Sequence, residues 1–453
     1  MKPILNKYLL YYPIQLLRRE HPWSFVKKFR SVGNYSRDEL REYQIACINR
    51  LLAYTSKHVP FYRNLTRDGI KSLRDVQDLP ILSKKDIMKA APSLKSRQGF
   101  LIHSVRSTSG TTGAPFCFIK DRLATSAMEA AMYYAYSWHG LDIGDEQARI
   151  WGTSIHPKAR LMQRIKDLAL NRQRLSSFDM SEESCIEYYR VLRKFKPKYI
   201  YAYAHALYRF VQVLNSSGID ARELNIKLSI CTGERLFDYQ RNLIESALGC
   251  PVVNEYGATE CGIIAFECRH RTMHILSQTI FLETIRPDGS RAHADEEGDV
   301  VITELYSRSI PFIRYKTGDR AALSDESCAC GRDTPVIKNI SGRIDDFIIR
   351  PDGKYVYDAI LAYAMKDYAL QFKAVQTDMN TLIIYIIPLM GVSAKKEAGL
   401  RGDLRKYIGT DMEIRFVYTG RIEIEPSGKY RYFQRDFKAD PVAGADSSRY
   451  GPA

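Results

Sequence analysis

The chain has 453 residues, with 67 Lys and Arg against 52 Asp and Glu, for a formal net charge of +15. Hydrophobic residues make up 45% and charged residues 26%, which suits two to three folded domains and excludes a mainly disordered chain. The most apolar stretch, Leu382 to Val392, contains Pro388 and is too short to span a bilayer. Nine cysteines are present, and the apolar pieces of Tyr8 to Leu17 run straight into Arg18, Arg19 and Glu20 with no cleavage site of a secretory leader. A reducing cytoplasm is therefore expected, with the thiols free or metal-bound. The charge admits a nucleic acid, an anionic membrane surface or an anionic substrate.

Residues 1–35 are basic and amphipathic: Lys7, Arg18, Arg19, Lys27, Lys28 and Arg30 face a lone Glu20, with Tyr8, Leu9, Leu16, Leu17 and Trp23 on the apolar side. They read as a helical arm, either packed on the body or lying on an anionic membrane surface. Helices are predicted over 38–56 and 122–138. From about residue 145 helices at 182–195, 203–215 and 236–247 alternate with short strands near 198–201, 226–231 and 251–255, the rhythm of an α/β domain with a parallel-type sheet. Strand-like runs at 278–286, 299–305 and 335–340 follow. A boundary is expected near Gly342–Asp346. Beyond it come a strand and turn (348–356), a helix (357–367), strands (372–377 and 381–387), a helix (395–408) and a strand (413–419), a small α/β domain. The expected organisation is an arm (1–35), a large domain (36–343), a small mobile C-terminal domain (344–439) and a fraying tail (440–453).

Five segments, with Thr232-Gly233-Glu234 as a companion to the second, are candidates to carry chemistry. Ser107-Thr108-Ser109-Gly110-Thr111-Thr112-Gly113 is all Ser, Thr and Gly, so its backbone amides and hydroxyls can turn toward phosphate, although no Walker lysine follows. Asn254-Glu255-Tyr256-Gly257-Ala258-Thr259-Glu260 ends a predicted strand, where ligands collect in open parallel sheets. There Tyr256 offers a ring for a base and Glu260 a hard oxygen for Mg²⁺. Thr232-Gly233-Glu234 also ends a strand. Tyr315-Lys316-Thr317-Gly318-Asp319-Arg320 places an acceptor carboxylate after a glycine turn. Gly342-Arg343-Ile344-Asp345-Asp346 falls at the boundary, and Pro426-Ser427-Gly428-Lys429 exposes a lysine near the C-terminus. Singly, each could be a turn, a salt bridge or a solvated side chain.

In this order the segments resemble the ANL superfamily of adenylate-forming enzymes, and within it the branch of phenylacetate–CoA ligases and CapK-type capsular polysaccharide proteins. The resemblance covers nearly the whole chain, from Val59-Pro60-Phe61-Tyr62 to Lys429. It implies that Ser107 to Gly113 wrap the ATP β- and γ-phosphates, Glu260 holds Mg²⁺ and Thr259 touches the α-phosphate. It places Tyr256 on adenine in a pocket lined by Gly233 and Glu234, with Glu255 and Gly257 beside it. Asp319 binds the ribose hydroxyls, Arg343 the ribose–phosphate side, and Asp345 is the hinge. Lys429 swings to the carboxylate and α-phosphate. Many relatives carry a lysine after the loop proline where Phe116 stands, and Lys120 is a candidate to compensate. Trp151, Ser154, His156, Tyr203 and His205 are candidates for the acyl pocket.

Cys328 and Cys330 form a C-x-C pair, and with Cys268 and His274 they make a four-ligand set suited to structural Zn²⁺. His270 is the rival histidine and Cys261 the rival thiolate, and unmetallated thiols are the alternative. The expected activity is ATP-dependent activation of a small carboxylate as an acyl-adenylate, followed by transfer to CoA or another acceptor. An adenylyltransferase stopping at the AMP ester and a non-catalytic nucleotide-binding assembly protein are the alternatives. Basic residues are scattered and no nucleic-acid recognition motif is present, so a nucleic-acid partner is not expected. The oligomeric state is not legible.

Overall fold

A computed structural model of the chain describes residues 3–64, 69–99, 103–108, 116–152, 157–343, 347–389, 393–423 and 429–437. It resolves into two compact units, a large one that ends at Ile340 and takes in Lys429, and a small one that begins at Ser341.

The large unit is built on one mixed sheet of eleven strands. Five run parallel, in the order Arg172–Ser176, Gln147–Trp151, Tyr199–Tyr203, Leu228–Thr232 and Val252–Ala258. The sheet then continues through Gly262–Glu267, which pairs antiparallel with Val252–Ala258. Crossover helices occur where the sequence is amphipathic and capped. Glu182–Phe195 begins on Ser181, whose hydroxyl accepts the Ser184 N–H, and carries acids in its first turn and bases in its last. Its apolar stripe (Cys185, Tyr189, Leu192) packs with Ala204–Ser216 and Asp238–Leu248 on one face of the sheet. The other face carries a larger core that includes Arg122–Ser137, Ile264, Phe266 and Phe312.

The N-terminal segment forms helices over Pro3–Leu17, with a π-helical stretch at Lys7–Tyr11, and over Pro22–Val32. Of the two readings of this arm, packing on the body is observed: Gln15 Nε2 donates to Glu129 at 2.8 Å, and the His21 N–H to Ser126 Oγ at 3.1 Å. The small unit has a four-stranded sheet ordered Glu413–Tyr418, Thr381–Pro388, Ala369–Gln376 and Phe433–Arg435. Helices Ala359–Met365 and Ala394–Ile408 supply Leu361, Met365, Leu400 and Leu404 to its core, with Leu382, Ile384 and Phe433 from the strands. Tyr430 anchors the C-terminal return, its hydroxyl bonding both the N–H and the carbonyl of Phe372.

Candidate active site

Strand Val252–Ala258 ends where the parallel half of the sheet meets its antiparallel half, and a tight turn after it carries Thr259 and Glu260. Side chains alternate along a strand, so Glu255 and Tyr256 leave it on opposite faces. The Tyr256 hydroxyl donates to Asp319 Oδ2 at 2.7 Å. Burial, and then the Asp319 charge, hold that hydroxyl well above the ordinary tyrosine range, so it stays a donor. Asp319 belongs to strand Tyr315–Ser324, whose pairing with Glu297–Glu304 slips between Asp299 and Val301. Gly318 sits at that irregularity with φ +90°, and the local bulge aims Asp319 out of the ladder toward Tyr256. Two strands thus clamp one site, because Tyr315 of the same strand donates its hydroxyl to Glu260 Oε1 at 2.9 Å. Glu260 is buried and makes no ion pair among the described residues, so its carboxylate oxygens are available as hard ligands for a divalent cation. Gly257 lies against the Gly262 carbonyl, and Thr259 is exposed at the mouth.

Strands His103–Thr108 and Phe116–Asp121 pair antiparallel as a hairpin, with Thr108 opposite Phe116. Ser107 and Thr108 are strand residues by backbone, whereas Ser109 to Gly113 lie outside the described residues. Arg106 was not singled out from the sequence, yet its guanidinium reaches the Thr259 carbonyl at 3.5 Å and links this hairpin to the Glu260 turn. The available signal was its place just before the Ser/Thr/Gly run. The expectation for Lys120 is overturned. Its ammonium is fully buried, paired with the equally buried Glu304, held by Ser307 Oγ at 3.2 Å, and 4.5 Å from the Phe312 ring centre. A cation so enclosed cannot meet a phosphate. The next residue, Asp121, caps helix Arg122–Ser137 through Ala124 and accepts the Arg308 and Ser309 N–H groups.

The remaining strand ends form a polar, aromatic wall. Trp151 stacks on Tyr203 with ring centres 3.8 Å apart, and the Arg149 guanidinium lies 4.7 Å from Trp151 and 4.5 Å from Tyr201. Tyr201 and Tyr136 donate to the Glu255 carboxylate at 2.7 and 3.2 Å. Burial raises the pKa of Glu255, and its side chain is spent inside this network, on the far side of the strand from Tyr256. Gly233 lies under the Tyr203 ring, where a Cβ would meet it at 3.0 Å and Lys429 Cε at 3.4 Å. Glu234 accepts the His205 N–H at 2.9 Å, so its carboxylate caps helix Ala204–Ser216. His205 is buried, and desolvation lowers its pKa to about 3, leaving a neutral imidazole. Ser154, His156 and Asp345 lie outside the described residues, as does the side chain of Arg343 at the end of strand Val336–Arg343.

A separate cluster gathers Cys268, His274, Cys328 and Cys330, whose ligand atoms all lie within 4.8 Å of one another. Sγ of Cys268 and Cys328 are 3.7 Å apart, and Cys330 Sγ is 3.2 Å from His274 Nε2. Tetrahedral zinc with its usual bond lengths would set these separations at about 3.8 and about 3.6 Å, so the donors fit. The other ring nitrogen of His274, Nδ1, contacts Thr334 Oγ1 at 3.0 Å, which orients Nε2 toward the sulfurs. Of the rivals, His270 offers the cluster its backbone N–H, which donates to Cys268 Sγ at 3.4 Å. Cys261 is buried elsewhere, near Glu260 and Glu304.

Taken with the relatives described next, the architecture supports an adenylate-forming ligase. Residues 348–436 match the family model of the CapK C-terminal domain. Over 434 residues the chain is 24% identical to Protein CapK of Staphylococcus aureus, covering 92% of this chain and 93% of that one. It is 26% identical over 339 residues to a phenylacetate-coenzyme A ligase of Thermus thermophilus, covering 69% and 72%. The fold superposes on a 2-hydroxyisobutyryl-CoA ligase in complex with an acyl-AMP at a TM-score of 0.75 and 20% identity, covering 89% of this chain and 91% of that one. The chain is thus homologous to CapK and the phenylacetate–CoA ligases.

Proposed function

We propose that the chain uses ATP and Mg²⁺ to activate a small carboxylic acid as an acyl-adenylate. The observation that carries this reading is the convergence at one strand end of a buried Glu260 that has a tyrosine partner but no ion pair among the described residues, the Tyr256–Asp319 pair and the Arg106–Thr259 link. Glu260 would hold the magnesium ion, which supplies charge neutralisation at the phosphates. Asp319 would accept the ribose hydroxyls, with Tyr256 presenting its ring to adenine. The loop Ser107 to Gly113 would donate to the β- and γ-phosphates, Thr259 would touch the α-phosphate, and Arg343 would face the ribose–phosphate side. A substrate carboxylate oxygen attacks the α-phosphorus, the bond to the bridging oxygen breaks, and pyrophosphate leaves. Lys429, which groups with the large unit beside Gly233, would neutralise the two anions as they meet. The acyl group then passes to CoA or to an amine or hydroxyl acceptor, in keeping with the activities in the names of the relatives and with cell-surface polysaccharide assembly. Zn²⁺ at Cys268, His274, Cys328 and Cys330 would be structural, since protein fills all four positions. A cytoplasmic protein, peripheral to the membrane, completes the reading, in keeping with the basic, amphipathic arm. No described helix is long and apolar enough to cross a bilayer.

The test is carboxylate-dependent exchange of pyrophosphate into ATP over a panel of acids. We expect exchange with at least one acid, and a loss of about 10²–10³-fold in Lys429→Ala, the scale of removing one transition-state charge partner. No exchange with any acid, in protein shown to bind ATP, would overturn the reading.

A further inference from the structure

We infer that two helices of the large unit, Pro3–Leu17 and Pro157–Ala169, form one face that seats the protein on an anionic lipid bilayer. This rests on the peripheral reading above and names the surface responsible.

The first helix packs with its polarity reversed. Asn6, Gln15 and the following Glu20 point inward and are buried, whereas Ile4, Leu5, Tyr8, Leu9, Leu16 and Leu17 are exposed, Leu17 at 82%. Helix Pro157–Ala169 repeats the inversion, with Asp167 buried against Arg172 and Arg174. Its Leu161, Ile165 and Leu168 form an exposed stripe at helical spacing. Together the two helices hold nine of the fifteen large hydrophobic side chains that the described residues expose. Water-soluble helices bury that stripe, and an apolar face of this extent marks a contact surface.

The arm meets the last turn of the second helix: Asn6 Nδ2 donates to the Leu168 carbonyl at 3.1 Å, and Glu20 feels the charge of Lys166. The arm is locked to the body at Gly144, where a Cβ would meet the Pro3 carbonyl oxygen at 2.5 Å. Charge selects lipid as the occupant. Pro3–Leu17 contains no Asp or Glu, and the sole carboxylate of Pro157–Ala169 is the buried Asp167. Arg19, Arg164 and Lys166 are exposed and make no ion pair among the described residues. Apolar side chains with basic residues beside them and no free acid fit a bilayer carrying negative headgroups.

Full-length protein is floated with phosphatidylcholine vesicles, with and without phosphatidylglycerol, at low and high salt, in the absence of ATP. The expected result is co-flotation only with the anionic vesicles, weakened by salt. Leu9→Glu with Leu17→Glu, or Leu161→Glu with Leu168→Glu, should each lower binding roughly tenfold or more, with unchanged melting temperature and unchanged pyrophosphate exchange. Absence of co-flotation would overturn the peripheral reading itself. Binding that survives both double substitutions would overturn this face while leaving that reading standing. A dimer that these substitutions dissociate would show that a second copy covers the face and would equally overturn the proposal. The adenylation reading stands or falls separately, on the exchange assay.

Discussion

Lys120 and Glu304 are a buried ion pair with Ser307 as a third partner, in a pocket closed by Phe118 and Phe312. Desolvation raises the pKa of Glu304 while the lysine beside it opposes that shift. Removing the lysine leaves an uncompensated carboxyl in the core, which typically costs about 3–5 kcal/mol. Lys120→Met should therefore lower the free energy of unfolding by about that amount in urea titrations. At a temperature where the variant is folded, the KM for ATP should stay near that of the parent, because the side chain faces Glu304. A large rise in KM for ATP without loss of stability would return Lys120 to the phosphate site. Arg106, by contrast, directly precedes the proposed phosphate loop and touches the Thr259 carbonyl. It is the cation that sequence reading passed over, since one arginine in a strand gives no pattern.

The elements differ in how far their sequences disclose them. Glu182–Phe195 was legible to the residue because its cap, its charged ends and its apolar stripe agree. Strand Tyr315–Ser324 was not, because Gly318 reads as a turn and the irregularity that aims Asp319 is a property of pairing with Glu297–Glu304. The arm was legible as helical and amphipathic. Its inverted burial was not, since the inward place of Asn6 and Gln15 depends on partners far along the chain, Leu168 and Glu129. The Cys/His set was readable as donors, and the fold chose His274 over His270 by putting it in strand Met273–Ile275, which pairs with Val336–Arg343. That cluster ties the segment around Cys268 to the loop carrying Cys328 and Cys330. We expect purified protein to hold zinc near one equivalent. Chelation, or Cys330→Ser, should lower the melting temperature by several degrees, as losing about 1–2 kcal/mol does in a domain of this size. Metal-free protein with an unchanged melting temperature after chelator treatment would refute the zinc assignment.

At the scale of the whole molecule, the expectation of a large α/β domain followed by a small one agrees with the architecture, and the second compact unit begins at Ser341. The net charge of +15 has also gained addresses: a portion lies in Arg19, Arg164 and Lys166 beside the apolar face, and Lys429 belongs to the proposed adenylation site. The role proposed for Asp345 is to let the small domain serve adenylation and then acyl transfer. Proline fixes φ and would stiffen that position. Asp345→Pro should keep pyrophosphate exchange within a few-fold of the parent and depress product formation with the acceptor by at least about tenfold, an effect typical of hinge changes. Equal losses in both half-reactions would reject a hinge at this residue.

The contact of Gly144 with the arm has a consequence for how the protein would search for its substrates. Because the Pro3 carbonyl fits where a side chain would otherwise stand, the arm moves with the sheet as one body. A single tethering chain would let the enzyme tumble above a bilayer, whereas two helices fixed to the body define a plane. Once seated, the strand ends would keep a constant height and heading relative to the lipid. Diffusion would then be confined to two dimensions, and an amphiphilic acid or acceptor lying in the same leaflet would meet the catalytic mouth from a fixed direction.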